Sequence, residues 1–136
     1  MIERRDDGTF DWPVYAGGTV PVQWYFRKQT ELPVAVQAWT IAPGASEGAH
    51  VHHPGRPLEE LYIVVEGDAE VMIDGRITRM GAGDALLAKV GAEHDVRNVG
   101  EGSLRLIVVW GPPDRAIWAE YSMGRFPDEA GGSPAR

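Results

Sequence analysis

Turn residues cut this chain into runs too short for most helices. Seventeen glycines and ten prolines are spread through 136 residues. Between them lie apolar or alternating runs: Thr19 to Phe26, Val34 to Ile41, Ala49 to His53, Leu58 to Glu66, Ala69 to Ile73, Ala85 to Lys89, His94 to Val99 and Leu104 to Trp110. Such runs, bounded by Gly, Asp and Pro, predict strands. Glu66-Gly67-Asp68, Asp74-Gly75, Gly81-Ala82-Gly83 and Gly100-Glu101-Gly102 each offer a residue that accepts positive φ in a tight turn. No repeat or helical periodicity of useful length appears before Pro112. Arg115 to Tyr121 fits either one short helix or a last strand. The tail from Pro127, rich in Gly, Ser, Pro and Ala, is expected to be mobile. The reading is all-β.

Composition narrows the function. A length of 136 residues suits one domain, taken as 1–136. A formal net charge of −7 with no basic run argues against a nucleic-acid partner. No apolar stretch is long enough to span a bilayer, and Met-Ile-Glu-Arg-Arg-Asp-Asp lacks the apolar core of a signal peptide, so the expected location is cytoplasmic, with no membrane partner. The absence of Cys removes disulfides and thiolate chemistry from consideration.

All four histidines fall where a metal site needs them. His50, His52 and His53 lie in Gly48-Ala-His-Val-His-His-Pro54, and His94 stands alone later in the chain. On an extended strand alternate residues share a face, so His50 and His52 point the same way. Two imidazoles, a carboxylate from the pair Glu59 and Glu60, and a third imidazole form a chelating set for a divalent first-row ion. His53 projects to the other side of the strand; were the following turn to break strand geometry, it would replace His52.

The spacing resembles the two motifs of the cupin superfamily of small β-barrels. Gly44, five residues, His50-Val51-His52, Glu60, six residues and Gly67 match the first, with the stretch from His52 to Glu60 lengthened by His53-Pro54-Gly55-Arg56-Pro57. Gly83, five residues, Lys89-Val90-Gly91, two residues, His94, three residues and Asn98 match the second, with Lys89 where proline is usual. The resemblance covers roughly 33–112. It implies a single antiparallel β-barrel, a double-stranded β-helix of jelly-roll type, preceded by strands within 1–32 and followed by an extension over 113–136. It also implies one divalent ion per chain, Fe, Mn, Ni, Co or Zn, held by His50, His52, Glu60 and His94.

Parity then assigns faces. With Glu60 inward, Tyr62 and Val64 face in, while Glu59, Leu61, Ile63 and Val65 face out. His94, Val96 and Asn98 face in; Leu104, Leu106, Val108 and Trp110 share the lining face; Gln37 and Trp39 share a face beside the first motif. Trp39, Tyr62, Val96, Leu106 and Trp110 are therefore candidates for the substrate pocket, and Tyr62 and Gln37 for catalytic contacts. For Tyr62, Trp39 and Trp110 the first expectation is barrel filling, since aromatic side chains dominate cores by area. Arg56 is either solvated or a clamp for an anionic substrate, and Asn98 is expected to fix a turn.

Four protein donors leave two octahedral positions open on Fe, Mn, Ni or Co, whereas zinc would be nearly saturated. That chemistry fits an enzyme acting on a small polar metabolite that chelates the ion. Dioxygenase-type chemistry comes first, and isomerase, lyase or decarboxylase activity is the alternative. A non-catalytic binding or sensing barrel is a further alternative, but fold alone does not decide among them. The apolar outward set on Leu61, Ile63 and Val65, with Phe10, Trp12, Tyr15, Trp24, Tyr25 and Phe26 as aromatic anchors, predicts a homodimer.

Overall fold

The computed structural model describes residues 1–122. The tail from Pro127 lies outside the described residues. Nine strands follow in order: β1 (Phe10–Pro13), β2 (Thr19–Trp24), β3 (Ala35–Ile41), β4 (Glu59–Glu66), β5 (Ala69–Ile73), β6 (Arg76–Met80), β7 (Ala85–Ala88), β8 (His94–Asn98) and β9 (Leu104–Gly111). A 3-10 turn at Arg115–Ile117 and a short helix, α1 (Ala119–Ser122), close the described chain. The ambiguous segment after Pro113 is thus helical. Asp114 starts it by accepting a hydrogen bond from the Ala116 amide at 2.9 Å.

The strands form two antiparallel sheets, ordered β1-β2-β3-β9-β4-β7 and β6-β5-β8. They enclose the core in the jelly-roll manner. β6 and β7 are sheet edges, and the chain crosses between them through the turn 81–84.

Two strands escaped the sequence pattern. β1 carries an Asp and ends on Pro, and β6 (Arg-Ile-Thr-Arg-Met) buries only its last residue. Both lie at sheet edges, where polar residues are tolerated because one side of the strand is solvated. The hairpin β5–β6 turns on Asp74 and Gly75, both with positive φ (48° and 80°), which brings Ile73 opposite Arg76. The Gly100–Gly102 turn needs no positive φ. Instead the Asn98 side chain donates to the carbonyls of Ile41 and Gly102, each at 2.8 Å, and accepts from the Gly100 amide at 2.9 Å. This residue is fully buried and serves the backbone, as expected.

Facing follows parity on the central strands. Glu60, Tyr62 and Val64 are buried while Glu59, Leu61 and Ile63 are half-buried and Val65 is exposed. On β8, His94, Val96 and Asn98 are buried and Arg97 is exposed. Leu104, Leu106, Val108 and Trp110 of β9 are all buried. Each full burial of an aliphatic side chain of this size contributes about 1.5–3 kcal/mol.

The N-terminal aromatics require a correction. Trp12 and Trp24 are buried in their own chain, Trp24 lying 5.3 Å from Trp110 and 6.2 Å from Trp12 between ring centroids. Phe10, Tyr25 and Phe26 are half-buried, and of this set only Tyr15 is exposed. β1 and β2 extend the large sheet past β3, so Trp12 and Trp24 cover their own barrel and are not available as interface anchors. The outer face of β4 and β7 stays open, with Val65 43% and Leu87 48% exposed.

Candidate metal centre

The motif segment expected as a strand, Ala49 to His53, is an irregular ribbon laid along β8. The His50 amide donates to the His94 carbonyl at 3.1 Å and the His94 amide returns to His50 at 3.0 Å. Further hydrogen bonds join Glu47 to Val96 and Gly44 to Asn98. Gly48 breaks the alternation with φ of 95°. A Cβ there would lie 2.2 Å from the Ala16 nitrogen and 2.6 Å from the Tyr15 carbonyl carbon, so only glycine admits the β1–β2 loop that lies over the ribbon.

The structure brings His50, His52, Glu60 and His94 together, all buried, each offering one ligand atom within 4.8 Å of the others. Glu60 arrives from β4, His94 from the start of β8, and the other two from the ribbon. Glu60 Oε1 lies 3.8 Å from the Nε2 atoms of both His50 and His94, and 2.5 Å from His52 Nε2. His50 Nδ1 donates to the Gly48 carbonyl at 2.8 Å and His94 Nδ1 to the Ala92 carbonyl at 3.0 Å. With the proton on Nδ1, the Nε2 lone pair of each ring faces the carboxylate. Those two Nε2 atoms are buried and have no hydrogen-bond partner among the described residues. A backbone carbonyl fixing the tautomer while the far nitrogen points inward is the usual dress of a metal-binding imidazole.

The sequence did not single out Glu47, which is fully buried beside the cluster. Its Oε1 lies 3.8 Å from His50 Nε2, and its Oε2 is 2.8 Å from the Tyr62 hydroxyl. That hydroxyl is also 2.6 Å from Glu60 Oε2. Strict alternation puts Glu47 on the opposite face from His50. The kink at Gly48 turns both inward, and Gly48 itself was the available signal. Tyr15 was likewise placed elsewhere by the sequence: its ring stacks on His50, centroids 4.0 Å apart and planes 10° apart.

These contacts define the electrostatics. Two buried carboxylates share one hydroxyl proton, which cannot satisfy both at once. A divalent cation at the cluster would balance the two negative charges and remove the cost of burying them. The residues therefore fit a divalent ion. Burial by itself lowers the pKa of His94, but the nearby Glu60 carboxylate, the hydrogen bond to the Ala92 carbonyl and the charge of Glu47 outweigh it, and the net shift is upward from 6.5.

The remaining candidates fall at graded distances. Across the large sheet, Trp110 is the register partner of Glu60, and Gln37, Val108 and Tyr62 share the next rung. Trp39, Leu106 and Val64 share the rung after that, two steps from Glu60, so Trp39 and Leu106 lie deeper in the core. Val96 sits on β8 one inward position from His94. Gln37 is buried, and its Oε1 accepts from the indoles of Trp39 at 2.8 Å and Trp110 at 3.0 Å. None of its hydrogen bonds reaches the cluster, and its Nε2 has no partner among the described residues. His53 is exposed and accepts from the Gly55 amide at 3.0 Å, which leaves His52 as the inward residue. Arg56 stacks its guanidinium 4.5 Å over the Tyr121 ring, whose hydroxyl donates to the Pro57 carbonyl at 2.7 Å. The lengthened turn is thus pinned by α1.

Comparison with known proteins agrees with this architecture. The cupin domain profile matches residues 37–110. The chain belongs to the cupin family. It is 35% identical over 74 residues to the mannose-1-phosphate guanylyltransferase of Escherichia coli K12, a match that takes in 54% of this chain and 15% of that one. The chain therefore spans a small fraction of the length of that relative. Among solved structures, a cupin 2 conserved barrel protein from Salinispora arenicola superposes with a TM-score of 0.70 at 22% identity, covering 88% of this chain and 95% of the other. A predicted oxalate decarboxylase from Thermotoga maritima gives 0.67 at 19% identity, covering 82% and 99%. At these identities the two structures speak to the fold alone.

Proposed function

We propose that this chain is a metal-dependent enzyme acting on a small polar metabolite that chelates the ion. The observation that carries the reading is the buried convergence of His50, His52, Glu60 and His94, with two Nε2 atoms left without hydrogen-bond partners among the described residues. These four residues would hold one divalent ion, which when bound supplies Lewis-acid activation of a chelated substrate or of dioxygen. The chain's own residues do the rest. The Gly48 and Ala92 carbonyls hold two imidazoles in the ligand tautomer. Trp110 and Val96 exclude water around the site, and Tyr62 presents a hydroxyl to it. Dioxygenase-type oxidation is the favoured reaction, because four protein donors leave two positions for a bidentate substrate or for substrate and dioxygen. Oxygen uptake by the Fe(II)-loaded protein, screened against enediols, 1,2-dicarbonyls and 2-hydroxy acids, tests it. Substrate-dependent uptake supports the reading.

One observation favours a second reading, namely isomerisation, elimination or decarboxylation. The Tyr62 hydroxyl lies between Glu47 and Glu60 and holds an exchangeable proton at the site. A decarboxylase name on the Thermotoga maritima neighbour is in keeping with it. Turnover that persists under anaerobic conditions and collapses in Tyr62→Phe selects this reading over the first.

We also infer that two chains pair across the outer face of β4. Leu61 and Ile63 are half-buried, Val65 and Leu87 are exposed, and a hollow of about 260 Å³ lies among Val34, Leu61, Leu87 and Val109. A face of this kind suits a two-fold contact. Light scattering during gel filtration should return about twice the 14.9 kDa of one chain. A single-chain mass persisting at high micromolar concentration would refute it.

A further inference from the structure

A groove of about 440 Å³ runs along the seam between the edges β6 and β7. Its walls include Val71, Met80 and Leu86, all buried, and Arg76, Thr78, Arg79 and Asp84 also line it. The register ties this groove to the metal centre. On the large sheet Leu86 is the partner of Tyr62. On the small sheet His94, Ile73 and Arg76 are successive partners across β8, β5 and β6. They occupy one rung, and residues of one rung face the same way. Since His94 and Val71 face the interior, so do Ile73, Arg76 and Thr78. Arg76 is thus the one permanently charged cation on an inward rung of the two sheets among the described residues.

The other charges at the groove are engaged. Arg79 lies on the opposite face and pairs with Glu70 at 3.4 Å. Asp84 accepts from the Gly81 amide at 2.8 Å. Arg76 is solvent-exposed and makes no ion pair among the described residues. Two strand spacings, about 10 Å between backbones, separate it from His94. A divalent ion at the cluster is already balanced by Glu47 and Glu60, so a substrate with a second anionic group needs another cation.

We propose that the seam is the substrate's entry to the site and that Arg76 binds a second carboxylate on the substrate, a few methylenes from the chelating end. The planar guanidinium fork matches a carboxylate in two parallel hydrogen bonds, and the walls formed by Val71, Ile73 and Leu86 suit the methylene stem. The substrate class is then an aliphatic dicarboxylate whose proximal end carries the chelating oxygens. This rests on the metal-enzyme reading above.

The test uses the Co(II)-loaded protein, whose visible absorption reports ligands entering the coordination sphere. It is titrated with 2-oxoadipate and with 2-oxohexanoate, which share a chelating head and length and differ in the terminal carboxylate. The diacid should bind at least about tenfold tighter. Arg76→Gln should cut that preference to under about threefold while leaving 2-oxohexanoate unchanged, and Arg79→Gln should keep it. Equal affinities in the wild type, no response to either acid, or a preference that survives Arg76→Gln overturns the proposal. A protein that takes up no cobalt refutes the metal reading itself, and this inference with it.

Discussion

Replacing Gly48 by Ala tests how the fold builds the site. The residue has φ of 95°, a conformation that costs an L side chain about 1–2 kcal/mol. The new Cβ would also meet backbone atoms of Tyr15 and Ala16 at 2.6 and 2.2 Å, and backbone cannot rotate away as a side chain can. The β1–β2 loop must therefore lift. Lifting breaks the 2.9 Å hydrogen bond from the Ala16 amide to the Glu47 carbonyl, about 0.5–1.5 kcal/mol, and unstacks Tyr15 from His50. The total loss is about 2–4 kcal/mol. Gly44→Ala is the control, since Gly44 has φ of 78° but no atom of the described residues within 4 Å of an added Cβ. It should lose only the conformational part, about 1–2 kcal/mol. Urea unfolding of the metal-free proteins measures both losses, and competition with a chromogenic chelator measures metal affinity. Gly48→Ala should also weaken metal binding by more than about tenfold, because His50 and Glu47 flank the kink. Equal stability losses in the two variants, or full metal affinity in Gly48→Ala, would show that the contact with the β1–β2 loop does not set the ribbon.

Two other outcomes follow from the site. Glu60→Gln should weaken metal binding by about a hundredfold while Glu59→Gln leaves it nearly intact, measured by the same competition; the reverse would mean that β4 is one residue out of register. For pH, His94 carries a pKa raised above 6.5 in the metal-free fold, so its contribution to stability is fully present below 6.5 and is lost as pH rises through the raised value. Metal-free protein should therefore lose this part of its stability as pH rises above 6.5 through the raised pKa, while metal binding near pH 6.5 releases a proton, detectable by calorimetry in buffers of different ionisation enthalpy. Binding with no buffer dependence there would contradict the account.

The legibility of this chain tracked the regularity of its backbone. On β4, β8 and β9 alternation holds, so Glu60, Tyr62, His94, Val96 and the β9 lining were placed on the correct face from sequence. Parity failed where the backbone leaves the pleat. One positive-φ residue, Gly48, turned Glu47 toward the ligands and hid it from a rule that assumes strict alternation. β6 was missed because its inward side opens on an exposed groove, so Arg76 and Thr78 stand where apolar residues mark a strand. The aromatic segment before β3 was legible as apolar but not as to what it covers. Whether Trp12 and Trp24 meet their own barrel or a second chain depends on where β1 and β2 join the sheet, and no local pattern encodes that.

The central claim is that His50, His52, Glu60 and His94 hold one ion. Metal analysis of the protein equilibrated with Fe(II), Mn(II) or Co(II) at neutral pH and freed of excess metal tests it directly, with His52→Ala and His94→Ala alongside. The account predicts close to one equivalent per chain in the wild type and almost none in either variant. A wild type that retains no metal, or a variant that keeps a full equivalent, would contradict it.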